Sequence, residues 1–279
     1  MARRILFSLL LILGAGAGSE AGDEKMETIA VLGTGDMGDS FGPRFADLGY
    51  RVIYGSRSPH SERVVNLVNS TGHDASADTY ADAAAAADIV LVAVASHTVE
   101  QNIDGLGELN GKVIIDLNWP PTRIADDGYE ERLTDISIAE RIQEMRPKAM
   151  VVKAFGTMAS NVIDDPQVAG GPVTAPIASN HRQAKETVAR LAAELGLDPV
   201  DAGPLRMARH LESLMMLYMI PHNQGRQEGW DFYFRRSNYW ACNTYSGGEL
   251  DEAGPPVVDA GNLAEFPHTQ GQPAPCPSR

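Results

Sequence analysis

Apolar positions crowd together at Thr28 to Leu32, a nearly unbroken run. A strand buried on both faces of a parallel sheet has that pattern. From Met37 to Leu48 the spacing becomes helical, with Met37, Phe41, Phe45 and Leu48 on one face, and Gly49 serves as the stop. Arg51 to Tyr54 is the next strand and completes a β-α-β unit. The alternation continues with helices predicted at Ser61 to Asn69, Tyr80 to Ala87, His97 to Leu106 and Ile136 to Met145. Between them lie strands at Ile89 to Val94, Val113 to Asp116 and Met150 to Ala154, and Val173 to Ala178 is a further candidate. Strands and helices in this order predict an α/β fold with a doubly wound parallel sheet, the Rossmann arrangement.

The pattern then shifts toward helix. His181 to Leu195 predicts a long helix capped by Ser179 or Asn180 and stopped by Gly196. Asp198 to Asp201 suits one short strand, and Pro204 to Met219 a second helix with proline in its first turn. Beyond Ser237 the chain is rich in Gly, Pro, Asn and Ser. The expected organisation is a signal-like segment over 1–25 and a dinucleotide-binding Rossmann domain over 27–157. A small α-rich C-terminal extension on the substrate side, 158–236, and a loosely structured tail, 237–279, follow.

Composition narrows the partners. Apolar residues make up 43% of the 279, enough for a sizeable core. Acidic residues outnumber basic ones, 37 to 23, and the net charge of −14 argues against nucleic acid or anionic lipid as the main partner. A local set of donors can still hold a phosphate. At the N-terminus, Arg3 and Arg4 precede the apolar run Ile5 to Leu13 and the small residues Gly14 to Ser19, the pattern of a secretory signal. Ile5 to Gly18 is shorter than the about 20 residues of a spanning helix, so no integral membrane domain is expected, with an uncleaved membrane anchor as the rival reading. This reading predicts an exported protein, periplasmic or secreted, and the paired arginines would suit export of a folded, cofactor-loaded chain. A true start at Met26 predicts a cytoplasmic one instead. Cys242 and Cys276 both fall in the tail, where a disulfide and two free thiols are both open.

The chemistry begins at Gly33-Thr34-Gly35-Asp36-Met37-Gly38, which has dinucleotide spacing between a buried strand and a helix. The first glycine permits the tight turn, the second lets the backbone approach a pyrophosphate, and the third lets helix and strand pack closely. The helix N-terminus supplies N–H donors to the phosphates. NAD-binding proteins commonly place Asp or Glu at the end of the second strand, against the ribose hydroxyls. Here the chain reads Gly55-Ser56-Arg57-Ser58, with Arg57 placed 24 residues after Gly33, where a 2′-phosphate would arrive. A guanidinium grips phosphate with two parallel hydrogen bonds, and Arg63 could add a second cation. The expected cofactor is NADP(H).

These stretches, Ala30 to Gly38 and Gly49 to Arg57, resemble the NADPH-dependent deazaflavin (coenzyme F420) reductase family and the cytosolic domain of the STEAP metalloreductases. Ile114 to Asn118, Val151 to Phe155, and Asp201 to Leu205 with Ala208-Arg209 extend the likeness. The resemblance implies hydride transfer between the nicotinamide and a small-molecule electron acceptor, either a deazaflavin or another flavin-like ring stacked on it. By family position, Thr34, Ser56 and Arg57 hold the phosphates, Val94, Ala95, Ser96 and His97 lie beside the nicotinamide half, and Asn118 and Trp119 close the crevice. His97 and Asn118 are the catalytic candidates. The acceptor is expected between the fourth and fifth strands, on the premise that the sheet order reverses there. The chain departs from the family at Gly156, where Asn is common, and in the acidic insertion around Asp126 and Asp127.

Other groups carry competing readings. His97 is equally a surface histidine at a helix start. His210 and Glu212 are expected on a solvated face rather than in a site. Met207, Leu211, Met215 and Tyr218 form a stripe that suits core or the interface of a homodimer. Trp230, Phe232, Tyr233 and Phe234 with Arg235 and Arg236 suit a packed terminal segment or part of an acceptor pocket. No acidic pair has metal-ligand spacing with histidines, so no metal is expected. Rival functions are an imine- or pyrroline-carboxylate-type NADP reductase, for which no acid stands out, and an NADP-binding redox sensor without turnover.

Overall fold

The computed structural model describes residues 27–226 and 232–235. The signal-like segment, Met26, Trp230, Arg236, both cysteines and the tail lie outside them. In chain order the elements are β1 (Thr28–Leu32), α1 (Asp36–Asp47), β2 (Arg51–Gly55), α2 (Glu62–Thr71), β3 (Ser76–Asp78) and α3 (Tyr80–Ala86). Then come β4 (Ile89–Val92), α4 (Val99–Asp104), β5 (Val113–Asp116), β6 (Thr122–Ile124), β7 (Glu130–Arg132) and α5 (Ile138–Met145). The last are β8 (Met150–Lys153), α6 (Ser160–Asp164), β9 (Thr174–Ser179), α7 (Arg182–Glu194), β10 (Asp198–Gly203) and α8 (Ala208–Asn223).

Eight strands form one sheet in the order β10-β9-β8-β5-β4-β1-β2-β3, while β6 and β7 pair as a separate hairpin. All pairings in the sheet are parallel except β8 with β9. The sheet order reverses between β1 and β4, one strand away from the position expected for the crevice. The reason is connectivity: β2 and β3 grow outward on one side of β1, and the chain then crosses to lay β4 on the other. Beyond residue 157 the chain adds β9 and β10 to this same sheet, so no break in the core separates the extension.

Side chains alternate across the sheet as the strand period requires. Ile29 and Val31 pack with Phe41 and Phe45 of α1, Val162 of α6 and Val188 of α7 on one face. Ala30 and Leu32 pack with Ala83 of α3, Ile103 of α4 and Ile142 of α5 on the other. The α1 stripe ends one residue early, because Leu48 lies beyond the last turn and is 39% exposed. Helix α7 starts from His181, not from a side-chain cap at Ser179 or Asn180. Those two are used otherwise: Ser179 Oγ accepts the His181 N–H, and Asn180 Oδ1 accepts the Leu205 N–H. After Pro204 a single 3-10 turn, Leu205–Met207, precedes α8. No helix among the described residues is long and apolar enough to cross a membrane.

Candidate functional site

The strand registers draw the site. Gly55, Leu32, Val92, Asp116 and Lys153 are successive cross-strand partners, so they form one level row at the carboxyl edge of β2, β1, β4, β5 and β8. Every residue singled out for cofactor contact on these strands follows this row by a few positions. Ligands of open α/β sheets lie outside that edge, at the reversal of strand order. The reversal puts the glycine loop after β1 directly beside the turn after β4, where Val94, Ala95, Ser96 and His97 follow.

In the loop after β1, the three glycines answer to different constraints. Gly33 has φ of +112°, and a Cβ there would run into the Ala93 carbonyl. A Cβ on Gly38 would strike the Gly33 carbonyl. Gly35 has an extended φ of −83° and open space around its missing side chain. It is also the N-cap of α1, and no side chain caps that end, so Asp36 and Met37 begin the helix with N–H groups facing the open loop. Ser56 is buried one position beyond the row, and its Oγ accepts the Ser58 N–H. Arg57 is exposed and has no partner among the described residues. Arg63 reaches across from α2 and donates to the Thr34 carbonyl at 2.5 Å, with Asp39 at 3.3 Å. It braces the glycine loop from the helix that follows the Arg57 turn.

At the other end, Val94 and Ser96 are buried while Ala95 and His97 are exposed. A 3-10 turn, Ser96–Thr98, presents them. Trp119 is partly exposed, and its N–H points to Ser96 Oγ at 3.4 Å, which ties the turn after β5 to the turn after β4. Asn118 is almost wholly buried. Its Nδ2 donates to Val92 O and to Asp116 Oδ1, so both amide donors are committed inside the protein. Its place is that of a brace under the crevice rather than a group offered to an acceptor. Phe155 takes a positive φ of 63° and its ring meets Phe41 at a tilt, and a Cβ on Gly156 would lie 2.7 Å from Leu117 O. That close approach explains why glycine stands at 156. Next to it, Thr157 Oγ1 is buried without a hydrogen-bond partner.

Beneath Trp119 lies a charged group that local pattern did not reveal. Lys153 is buried and donates to Asp116 at 2.8 Å, to Glu212 at 3.2 Å and to the Asn118 carbonyl. Glu212 therefore does not sit on a solvated face: it is fully buried, because α8 turns it toward the sheet while His210 stays exposed. Its Oε1 also accepts the Ile138 N–H at the start of α5, and its Oε2 faces the Arg132 guanidinium of β7 at 3.6 Å. Burial pushes the Glu212 carboxyl up to about 7, with Lys153 pulling it down and Asp116 adding to the rise. The signal that could have found this group is the charge itself. Asp116 and Lys153 each end an otherwise apolar strand, and a charge there demands a partner. In the stripe of α8, Leu211 is buried, but Met207, Met215 and Tyr218 are only partly so. Tyr218 meets Phe232 edge-on, and Phe234 O accepts the Thr174 N–H of β9, so this part of the terminal segment packs back on the fold.

Residues 28–120 match the family described as NADP oxidoreductase, coenzyme F420-dependent. The chain is similar to the Mus musculus metalloreductase STEAP2, at 32% identity over 198 residues, which takes in 69% of this chain and 36% of that protein. It therefore spans about a third of the length of that curated relative. It is similar over nearly the whole of the F420-dependent NADP reductase of Methanothermobacter thermautotrophicus, with 29% identity across 73% of this chain and 93% of that one. A solved Arthrobacter sp. FB24 structure, assigned as an F420-dependent NADP reductase, superposes with a TM-score of 0.65 at 29% identity, over 75% of this chain and 99% of that one.

Proposed function

We propose that this chain, whose residues 28–120 belong to the coenzyme F420-dependent NADP oxidoreductase family, passes a hydride between NADP(H) and a flavin-like or deazaflavin acceptor. The observation that carries the reading is the end of β2. Buried Ser56 and exposed Arg57 stand there in place of a ribose-binding carboxylate, beside an open glycine loop braced by Arg63. These groups fit an adenosine 2′-phosphate, and the N-terminus of α1 fits the pyrophosphate.

From that anchor an extended dinucleotide crosses the strand order reversal toward Val94 to His97. The acceptor then has to lie within about 3.5 Å of the nicotinamide, which brings it against the side of the crevice that carries His97 and Trp119. The protein's own task is to hold two flat rings face to face and exclude water; the cofactor supplies the hydride chemistry. In this reading the partly exposed side of α8 covers the acceptor or meets a second copy in a homodimer. An imine-type reductase needs an acid that can reach a developing amine. Glu212 is a carboxyl poised near neutrality, but it has no exposed surface and is bonded to Lys153 and Ile138. The geometry therefore favours the flavin-like acceptor.

Stopped-flow oxidation of NADPH with a panel of flavins, deazaflavins and cyclic imines tests the proposal. Rapid single-turnover oxidation by a flavin or deazaflavin is expected. Oxidation by imines alone would replace the acceptor, and tight NADPH binding with no oxidation by any of them would make the chain a binding protein.

A further inference from the structure

Lys153 closes an otherwise apolar strand at the carboxyl edge, three strands over from β1 and its glycine loop. A buried ion group is seldom the most stabilising choice, since apolar side chains of similar volume often do as well or better. Its placement calls for another account. An ammonium has three donors, and here all three are spent on different elements: Asp116 of β5, Glu212 of α8, and the backbone carbonyl of Asn118. Asp116 uses its other oxygen to accept both the N–H and the Nδ2 of Asn118. Asn118 is thus held on its carbonyl, its N–H and its side chain at once. The next residue is Trp119, whose N–H meets Ser96 in the turn after β4.

We propose that Lys153 is a positioning residue for the nicotinamide end of the crevice, holding the Asn118–Trp119 turn in register with the Ser96 turn and using Glu212 of α8 as its second anchor. This rests on the NADP reading given above. It also couples the crevice to its cover: α8 seats Glu212 against Lys153 only when the helix is docked, and Arg132 of the hairpin, which donates to the Arg209 carbonyl and Ser213, ties the hairpin to the same helix.

The coupling has a pH signature. The groups that face Glu212 are Lys153 from β8, Asp116 from β5, Arg132 from β7 and the Ile138 N–H from α5. On α8 itself, Arg209 is engaged by Glu140 and His210 is exposed. Burial holds the Glu212 carboxyl at about 7, so its charge changes near neutrality. Burial makes the carboxylate the costlier form while α8 is docked, and Lys153 offsets only part of that. Docking of α8, and with it register at the nicotinamide end, should therefore loosen as pH rises through that value.

The test compares two probes that share the adenosine 2′-phosphate end. NADPH and adenosine 2′,5′-bisphosphate are titrated by calorimetry into the full-length wild type, Lys153→Met and Glu212→Gln, at about pH 6 and pH 8. The bisphosphate, which lacks the nicotinamide, should bind all three alike. NADPH should lose about fivefold or more in Lys153→Met, a typical coupling between neighbouring groups. The preference for NADPH over the bisphosphate should fall with pH in the wild type relative to Glu212→Gln measured under the same conditions. An unchanged preference in both variants at both pH values would overturn the positioning role. If Lys153→Met does not fold, the near-isosteric Glu212→Gln decides alone through its pH profile. Failure of the wild type to bind the bisphosphate would remove the NADP reading itself, and the proposal with it.

Discussion

Gly33 and Gly35 stand two residues apart in one loop, yet only the first is required by the fold. Gly33 needs both its positive φ and the absence of a Cβ against Ala93, whereas Gly35 meets neither demand. Gly35→Val should therefore leave the circular dichroism spectrum native and abolish NADPH binding, because the new side chain fills the space a pyrophosphate needs. Native spectra with wild-type affinity would reduce the loop to a turn. Arg57 is the complementary case, an exposed cation whose removal disturbs no described contact. Arg57→Ala should weaken NADPH by about 1.5 to 3 kcal/mol, the range for a hydrogen bond to a charged group, and leave NADH nearly unchanged. Equal losses for both cofactors by calorimetry would refute the assignment. The glycine loop and the turn after β2 were legible in the sequence because their residues are contiguous and act through backbone geometry. Lys153, Asp116 and Glu212 were not, since Glu212 lies 59 residues from Lys153 and only the packing of α8 brings them together.

Strands hidden on both faces announce themselves, and β1, β5 and β8 lie within a residue of where their apolar runs place them. Elements with little to bury do not. The strand Ser76–Asp78 and the hairpin Thr122–Ile124 with Glu130–Arg132 carry few apolar residues and passed as loop. Helix α5 is a further case, where Ser137 and Glu140 cap the start reciprocally and shorten the helix to begin at Ile138. The docking of α8 on α5 leaves a mark on stability. Glu212 is held at about 7 against an ordinary 4.5, so between these values the folded chain keeps a proton that the unfolded chain has released. Its contribution is fully present below about pH 4.5 and is lost as pH rises through about 7. Glu140 runs the other way. Burial pushes its carboxyl up, but Arg209 and the Ser137 donors outweigh that and bring it to about 2, so its contribution is fully present above about pH 4.5 and is lost as pH falls through about 2. Urea unfolding from about pH 5 to pH 8 should show wild-type stability falling relative to Glu212→Gln. Parallel profiles for the two proteins would rule out this role for the buried carboxyl.

At the scale of the molecule, one sheet does all the organising. Its two faces are covered by separate sets of helices, and its carboxyl edge carries Lys153 on a single row of paired residues, with the glycine loop just beyond that row. The other two borders of the sheet have a consequence for how copies of the chain behave in a crowd. Among the described residues the outer strands are β3, only three residues long, and β10, which carries Pro199. A three-residue border offers little backbone for a foreign strand to add to, and a proline has no N–H to give it. Neither border is a template for edge-to-edge growth, so the described fold resists aggregation by strand addition, and association between copies is left to its helical faces.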